Sequence, residues 1–154
     1  MRFGSLIPAF AASILMLSGC GGEASSAVAS AAPTVPAPTL AELPVPYNEA
    51  DLAAGKKLFG NKCGSCHYIQ ADKGDLMGPN LHGVFDRGVG AKPNYNYSPA
   101  LKNFEHKQWS PDLIEQWLQA PQGFVPGTAM FFNGLKDPTE RRNLIAYLMI
   151  ASRQ

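Results

Sequence analysis

Apolar residues in the last third of the chain recur at the three- and four-residue spacing of amphipathic helices. Ser110-Pro111 and Asp137-Pro138 precede two such stretches, and each combines an N-cap residue with a proline suited to the first helical position. The first of these helices is expected to stop before Pro121, because proline disfavours helix in the residue ahead of it. The apolar faces consist of Leu113, Ile114, Trp117 and Leu118, and of Leu144, Tyr147 and Leu148 with Ile145 beside them.

Two more helices are predicted upstream. Asn48 can cap a helix whose first turn holds Glu49 and Asp51, and Ser98-Pro99 repeats the pairing of cap and proline. Gly55 is costly inside a helix, so its place on the apolar face indicates close approach by another helix. Gly- and Pro-rich loops separate the helices. We therefore expect an all-α domain with long loops, whose helices need a central group to pack against.

The start of the chain has the pattern of a bacterial export signal. Arg2 is followed by an apolar stretch from Leu6 to Leu17, and Leu17-Ser18-Gly19-Cys20 resembles the cleavage and acylation site of bacterial lipoproteins. An ordinary signal peptide or an uncleaved anchor is less favoured, because the apolar stretch is short for a membrane span. Residues 1–19 are thus predicted to be a lipoprotein signal peptide. Cys20 is predicted to carry lipid, which would anchor the exported protein on the periplasmic side of a bacterial membrane.

Composition divides the remainder of the chain into two parts. Residues 20–46 are mostly Ala, Ser, Pro, Thr and Val, and are predicted to form a disordered linker that tethers one folded domain, residues 47–154. Arg2, Glu23 and Glu42 are the only charged residues before residue 47, so acidic and basic residues nearly balance in the domain. Without a basic stripe, nucleic acid is excluded as a partner.

The chemistry lies in Cys63-Gly64-Ser65-Cys66-His67. Two thiols three residues apart, followed at once by an imidazole, match the attachment site of a c-type haem. On one turn of helix the three side chains would share a face. Cys63 and Cys66 would add to the two vinyl groups of one porphyrin, and His67 would bind its iron as the proximal ligand. One covalently bound haem c is therefore predicted.

A CxxC pair has three other interpretations. A zinc site needs two more ligands, but Cys20 lies in the leader and the remaining histidines are not at finger spacing. A thioredoxin-type redox pair expects a βαβ setting, which the sequence does not indicate. A disulfide between Cys63 and Cys66 would close a loop too short to stabilise much.

Three further segments, in order, resemble class I c-type cytochromes of the mitochondrial and small bacterial kind. They are Gly78-Pro79-Asn80-Leu81-His82-Gly83-Val84-Phe85, Val125-Pro126-Gly127-Thr128-Ala129-Met130 and Leu144-Ile145-Ala146-Tyr147-Leu148. With the haem motif, the resemblance covers nearly all of residues 48–154. It implies the class I cytochrome c fold, in which helices and long loops wrap around one covalent haem.

The resemblance implies that Met130 is the second axial ligand, and the chain between His67 and Met130 is long enough to reach the far face of a haem. The rival ligands are Met77, Met149, His82 and His106. Met77 follows His67 too closely to reach that face, and His106 lies in a polar segment.

The resemblance also implies roles for residues around the haem. Pro79 would accept a hydrogen bond from His67 and so orient the ring. Contacts in the region of the haem propionates are implied for Arg87, Tyr95, Tyr97, Trp109 and Thr128. Phe132 matches an aromatic residue packed beside Met130.

Two residues depart from the family pattern near the same site. Trp117 stands where the family usually has a tyrosine near the methionine sulfur, and indole can donate a hydrogen bond but not accept one. Ala129 replaces a lysine common in the family, so steering of acidic partners is expected to be weaker here.

An iron with both axial positions filled offers no site for a substrate, which leaves one-electron exchange. The resemblance thus implies a membrane-tethered, single-haem electron carrier that cycles between Fe(II) and Fe(III). It would be no enzyme, have no small-molecule substrate, and serve redox proteins such as a quinol-oxidising complex, a terminal oxidase or another periplasmic oxidoreductase. A haem peroxidase-like enzyme or a haem sensor module is the alternative if Met130 leaves the iron easily.

Overall fold

Five α-helices and three short 3₁₀ turns make up the regular structure of residues 36–154, which are the residues that the computed structural model describes. The α-helices are α1 (Leu52–Lys62), α2 (Pro99–Lys102), α3 (Pro111–Gln119), α4 (Pro121–Phe124) and α5 (Pro138–Ala151). The 3₁₀ turns are Leu40–Glu42, Tyr47–Glu49 and Val84–Asp86. Within this part of the chain the only β-type pairing is an isolated bridge between Gly88 and Gln108. The all-α class is therefore confirmed.

Three of the predicted helix starts are confirmed. The side chains of Ser98 and Ser110 accept hydrogen bonds from the third helical N–H of α2 and α3, and proline follows each of them at the first helical position. Asp137 caps α5 by accepting from Thr139 and Glu140. The helix α3 ends at Gln119, two residues before Pro121, as expected.

The predicted start of α1 is wrong by several residues. Asn48 lies in the 3₁₀ turn Tyr47–Glu49, and Asp51 is the N-cap, with its side chain accepting from the Ala54 N–H at 2.9 Å. The Asp51 N–H donates to Asn143 Oδ1 at 3.0 Å, so the residue that caps α1 also contacts α5. That contact joins distant parts of the sequence and cannot be predicted from local cap preferences.

Helices α1 and α5 cross closely at Gly55, as expected. A Cβ atom at Gly55 would lie 2.8 Å from the carbonyl carbon of Asn143, so only glycine permits this approach. Nearby, the rings of Phe59 and Tyr147 pack with their centroids 5.6 Å apart. The helix α5 forms the centre of the core, since Leu144 is fully buried.

Ordered structure begins before residue 47, the predicted domain boundary. Leu43 is only 5% exposed and belongs to the core, and Thr39 forms a capping box with Glu42 at the turn Leu40–Glu42. The predicted linker is therefore too long at its C-terminal end. The signal peptide 1–19, Cys20 and the linker up to residue 35 lie outside the described residues. From residue 36 onward, none of the helices has the length and apolar character needed to cross a bilayer.

Candidate functional site

One cleft, of about 1330 Å³ of empty space including the part open to solvent, collects the residues that the sequence singled out. All twelve residues predicted to contact or ligate a haem line it: Cys63, Cys66, His67, Pro79, Arg87, Tyr95, Tyr97, Trp109, Trp117, Thr128, Met130 and Phe132. The lining is mostly apolar, with Leu144 and Leu148 of α5 among its residues. The two thiols, one imidazole and a largely apolar space fit the chemistry of a covalently attached haem.

The Cys63–His67 motif follows helix α1 instead of lying inside it. Cys63 is the C-cap of α1, and its N–H donates to the Phe59 carbonyl at 2.8 Å. The N–H groups of Cys66 and His67 both donate to the Cys63 carbonyl at 2.9 Å. The expected placement on a regular helical turn is thus corrected to a hydrogen-bonded turn beyond the helix end. Both thiols and the imidazole still line the same cleft.

The thiols of Cys63 and Cys66 are free, so the short disulfide is not formed. Burial, together with the neighbouring Cys66, raises the pKa of the Cys63 thiol to about 11. The thiolate is the nucleophilic form in disulfide exchange, and a raised pKa makes this form scarce at neutral pH. Among residues 36–154 there is no group of three or more His, Cys, Asp or Glu side chains arranged to hold a metal ion.

The imidazole of His67 is held in one orientation by its surroundings. Its Nδ1 lies 2.7 Å from the Pro79 carbonyl, and because a carbonyl can only accept, Nδ1 carries the proton. That leaves Nε2 as the nitrogen available to a metal. Burial lowers the pKa of His67, against the opposing effect of the Pro79 carbonyl, and so favours the neutral ring that can act as a ligand.

Asn80 organises the loop after the haem motif, a role that sequence reasoning missed. It is 3% exposed, and its Nδ2 donates to the carbonyls of Gln70 at 2.9 Å and Lys73 at 2.7 Å. Its Oδ1 accepts from the His82 N–H at 2.7 Å. These bonds fix the residue next to Pro79, and therefore the carbonyl that orients His67.

Arg87 and Trp109 reach the cleft from neighbouring segments. The backbone N–H of Trp109 donates to the Arg87 carbonyl at 3.3 Å, beside the bridge between Gly88 and Gln108. The Arg87 guanidinium donates to the carbonyls of His82 at 2.9 Å and Asn80 at 2.5 Å. Burial lowers the pKa of Arg87 without removing its charge at neutral pH. A half-buried cation at the cleft can stabilise a carboxylate placed there.

Tyr95 and Tyr97 form an aromatic pair on the same cleft. Their ring centroids are 4.7 Å apart in an edge-to-face arrangement, and burial raises the pKa of both hydroxyls. The Tyr95 hydroxyl donates to the Met77 carbonyl at 2.6 Å. Tyr95 therefore anchors the segment beside the cleft.

The loop that carries Met130 is held by Gln122, a second residue that the sequence did not reveal. Gln122 Nε2 donates to the carbonyls of Thr128 at 2.9 Å and Met130 at 3.0 Å. The Met130 N–H donates to Thr128 Oγ1 at 3.3 Å, and Phe132 donates to the Met130 carbonyl at 3.1 Å. Thr128 thus supports the Met130 loop directly.

The rival ligands are less well placed than Met130. Of them only Met77 lines the cleft, and it is 78% exposed. His106 stacks on Phe104 at an exposed position. Trp117, the departure from the family pattern, is buried and packs edge-to-face on Trp109 with centroids 5.7 Å apart.

The fold and the cleft define a small all-α protein built around a covalently attached haem. Residues 52–152 match the model of the cytochrome c family, and the chain belongs to that family. It therefore carries one covalent haem c, for which Cys63 and Cys66 supply the thiols, and it is a haem electron carrier.

Several proteins named cytochrome c are similar to this chain. That of Ginkgo biloba is 41% identical over 104 residues, covering 68% of this chain and 91% of that protein. That of Guizotia abyssinica is 43% identical over 98 residues, covering 64% and 87%. That of Cochliobolus lunatus is 37% identical over 102 residues, covering 66% and 94%.

Proposed function

We propose that His67 and Met130 are the two axial ligands of the haem iron. We further propose that lipid on Cys20 tethers the protein on the periplasmic side of a bacterial membrane. In this role it passes single electrons from a donor such as a quinol-oxidising complex to a terminal oxidase or another periplasmic oxidoreductase.

The observation that carries the axial assignment is the convergence of His67 and Met130 on one cleft. Each is held through its neighbours: His67 by the Pro79 carbonyl at 2.7 Å, and the Met130 loop by Gln122 at 3.0 Å. The haem supplies a one-electron Fe(II)/Fe(III) couple. The chain supplies two ligands that are fixed before any electron moves, so little has to rearrange on transfer.

The surroundings of the cleft favour the reduced state and exclude substrates. Apolar lining residues such as Leu144 and Trp117 keep water away, which disfavours the extra positive charge of Fe(III). A thioether ligand from Met130 acts in the same direction. A peroxidase-like enzyme or a sensor would need Met130 to leave the iron, and the hydrogen bonds from Gln122 to its loop oppose that movement.

The axial assignment is tested with Met130→Ala. We expect the variant to keep its covalent haem, to lose a few hundred mV of reduction potential, and to bind carbon monoxide in the Fe(II) state. A redox titration with spectra of both states measures this. Met77→Ala is the matched control, because Met77 also lines the cleft but is largely exposed, and it should leave the potential unchanged. Equal potentials in wild type and Met130→Ala would refute the assignment.

The tether is supported by the sequence, since Leu17-Ser18-Gly19-Cys20 precedes an Ala-, Ser- and Pro-rich stretch. In a bacterial host, Cys20→Ser is expected to move the protein from the membrane fraction to the soluble periplasmic fraction while the haem remains attached. Ser18→Ala, which keeps a small residue before the cysteine, serves as the control. A Cys20→Ser protein that remains membrane-bound after mild salt washing would count against lipid anchoring.

The proposed partners are tested by electron delivery. The purified protein should be reduced by quinol only when a quinol-oxidising complex is present, and then reoxidised by a terminal oxidase. Failure with both enzymes would remove these partners but leave the axial assignment untouched.

A further inference from the structure

An ion pair between Asp75 and Lys92 joins two segments of the chain that contribute to the cleft. Asp75 Oδ2 accepts from Lys92 Nζ at 2.9 Å, although the residues are 17 positions apart. Their side chains are only 24% and 21% exposed. The nearby pair of Asp72 and Lys73 is 3.6 Å long, and 74% and 52% of those side chains are exposed. Because water and salt screen a shielded pair less than an exposed one, Asp75 and Lys92 interact more strongly.

The carboxylate of Asp75 is bonded to the loop that orients His67. Its Oδ1 accepts from the Asn80 N–H at 2.6 Å, and Asn80 follows Pro79, whose carbonyl accepts from the imidazole. The charge of Asp75 also acts on that ring. Burial lowers the pKa of His67, whereas the Pro79 carbonyl and the negative charge of Asp75 oppose the change. Asp75 therefore favours positive charge at the position of His67.

Lys92 belongs to the segment that brings Tyr95 and Tyr97 to the cleft. Burial raises the pKa of the Tyr97 hydroxyl, while the charge of Arg87 and the backbone of Lys92 oppose the rise. Lys92 and Asp75 themselves do not line the cleft. The ammonium and the carboxylate therefore act on the cleft through space, without touching a group that is bound inside it.

We propose that Asp75 and Lys92 adjust the reduction potential of the haem as two matched opposite charges, and we name them the charge pair. The carboxylate of Asp75 stabilises the extra positive charge of Fe(III), and the ammonium of Lys92 opposes it. Because the two charges are in contact, their effects on the iron nearly cancel. The proposal rests on the proposed axial role of His67, and it adds two residues that influence the iron without binding it.

The sign of each effect distinguishes this electrostatic role from a purely structural one. If the ion pair only held two segments together, removing either charge would loosen the cleft and admit water, which favours Fe(III) in both cases. In the charge pair the two removals act in opposite directions. Loss of the Asp75 charge favours Fe(II), because Lys92 is then unbalanced. Loss of the Lys92 charge favours Fe(III), because the carboxylate of Asp75 is then unbalanced.

The test is a redox titration, at about pH 7, of the haem-loaded wild type, Asp75→Asn, Lys92→Gln and the double variant. At a fixed applied potential, we expect Asp75→Asn to raise the ratio of Fe(II) to Fe(III) about threefold and Lys92→Gln to lower it about threefold. For a one-electron couple, a threefold change corresponds to about 30 mV. The double variant should lie within about 1.5-fold of wild type, because it removes both charges together.

Matched controls come from the exposed pair in the same loop. Asp72→Asn and Lys73→Gln remove the same kinds of charge where water screens them, so each should leave the ratio close to that of wild type. Lys92→Arg keeps the positive charge and should also behave like wild type. Raising the salt to about 500 mM should leave most of the shift in Asp75→Asn and Lys92→Gln in place, because shielded charges are poorly screened.

A second measurement follows the structure itself. Amide hydrogen exchange of Asn80 in the reduced protein reports whether its bond to residue 75 persists, and we expect it to stay protected in Lys92→Gln. Optical spectra of both oxidation states report whether the axial ligands are unchanged.

Several results would overturn the proposal. They are shifts in the same direction in Asp75→Asn and Lys92→Gln, shifts no larger than those of Asp72→Asn, and a double variant that departs from wild type as far as the single variants do. With unchanged spectra, each of these results rejects the charge pair and leaves the axial assignment intact. The axial assignment fails on a different result, an unchanged potential in Met130→Ala.

Discussion

Gly78 lies so close to the ring of His67 that no side chain fits between them. A Cβ atom at Gly78 would stand 2.7 Å from both His67 Nδ1 and Nε2, a distance that real Cβ atoms do not show. The Gly78 N–H also donates to the Cys66 carbonyl at 2.8 Å. The backbone therefore cannot move away from the ring without breaking its hydrogen bond to the turn that carries the thiols. Space, and not an unusual dihedral angle, requires glycine here.

Gly78→Ala is expected to displace the His67 ring and to lengthen its bond to the iron. Forcing a methyl group into a packed site costs about 1–3 kcal/mol in the free energy of unfolding. Urea unfolding of the oxidised protein measures this loss, and optical and EPR spectra report the changed axial ligation. Gly74→Ala is the control, because a Cβ there would meet nothing within 4 Å. Equal unfolding midpoints and identical spectra for the two variants would contradict the packing argument.

Gln122→Ala is expected to loosen the Met130 loop without touching the cleft lining itself. It removes both side-chain hydrogen bonds to the carbonyls of Thr128 and Met130. Two such bonds contribute about 1–3 kcal/mol together, so the reduced protein should take up carbon monoxide roughly tenfold faster or more. Stopped-flow mixing measures the rate.

The matched control for Gln122 is Gln116→Ala, which removes an exposed glutamine from α3. It should bind carbon monoxide as slowly as wild type. A second variant, Gln122→Glu, keeps the size of the side chain but cannot donate, and should resemble Gln122→Ala. Wild-type rates in both Gln122 variants would show that the loop is held by other contacts.

Helix starts were predictable where the deciding contacts are local. The side chains of Ser110 and Asp137 bond to N–H groups two or three residues further on, so the local sequence contains both partners. Asp51 also caps α1 through a local bond to the Ala54 N–H, but its own N–H donates to Asn143, which lies 92 residues away. No local rule could choose Asp51 over Asn48, because both are good cap residues.

The residues of the candidate site likewise fall into those that could be predicted from the sequence and those that could not. Cys63, Cys66 and His67 have a fixed spacing whose chemistry is read directly from the sequence. The side chains of Asn80 and Gln122 donate hydrogen bonds to backbone carbonyls. Every residue has a backbone carbonyl, so the sequence does not show which residues are their partners. Only the folded chain shows which carbonyls lie within reach.

Gly55→Ala is expected to destabilise the protein by forcing α1 away from α5. The new Cβ would stand 2.8 Å from the Asn143 carbonyl carbon, and overpacking of this kind costs about 1–3 kcal/mol. Gly60→Ala in the same helix meets nothing within 4 Å and should stabilise by about 0.5–1 kcal/mol through helix propensity. Both substitutions replace glycine with alanine in the same helix. If both shifted the urea midpoint in the same direction, the close contact of α1 with α5 at Gly55 would be contradicted.

Asp75→Asn is expected to lower stability at neutral pH but not in acid. Burial alone would raise the pKa of Asp75, yet the Asn80 N–H at 2.6 Å and the Lys92 ammonium at 2.9 Å outweigh it and hold the pKa below its ordinary value. A lowered carboxyl pKa adds stability that is complete above the unfolded value of about 3.9 and is lost as the pH falls through the folded value. The difference in urea midpoint between wild type and Asp75→Asn should therefore be present at about pH 7, shrink below about pH 4, and then vanish.

Asp72→Asn should show little difference at any pH, because its ion pair with Lys73 is 3.6 Å long and its carboxylate is 74% exposed. A pH-independent difference for Asp75→Asn would show that the charge of Asp75 has no part in folding.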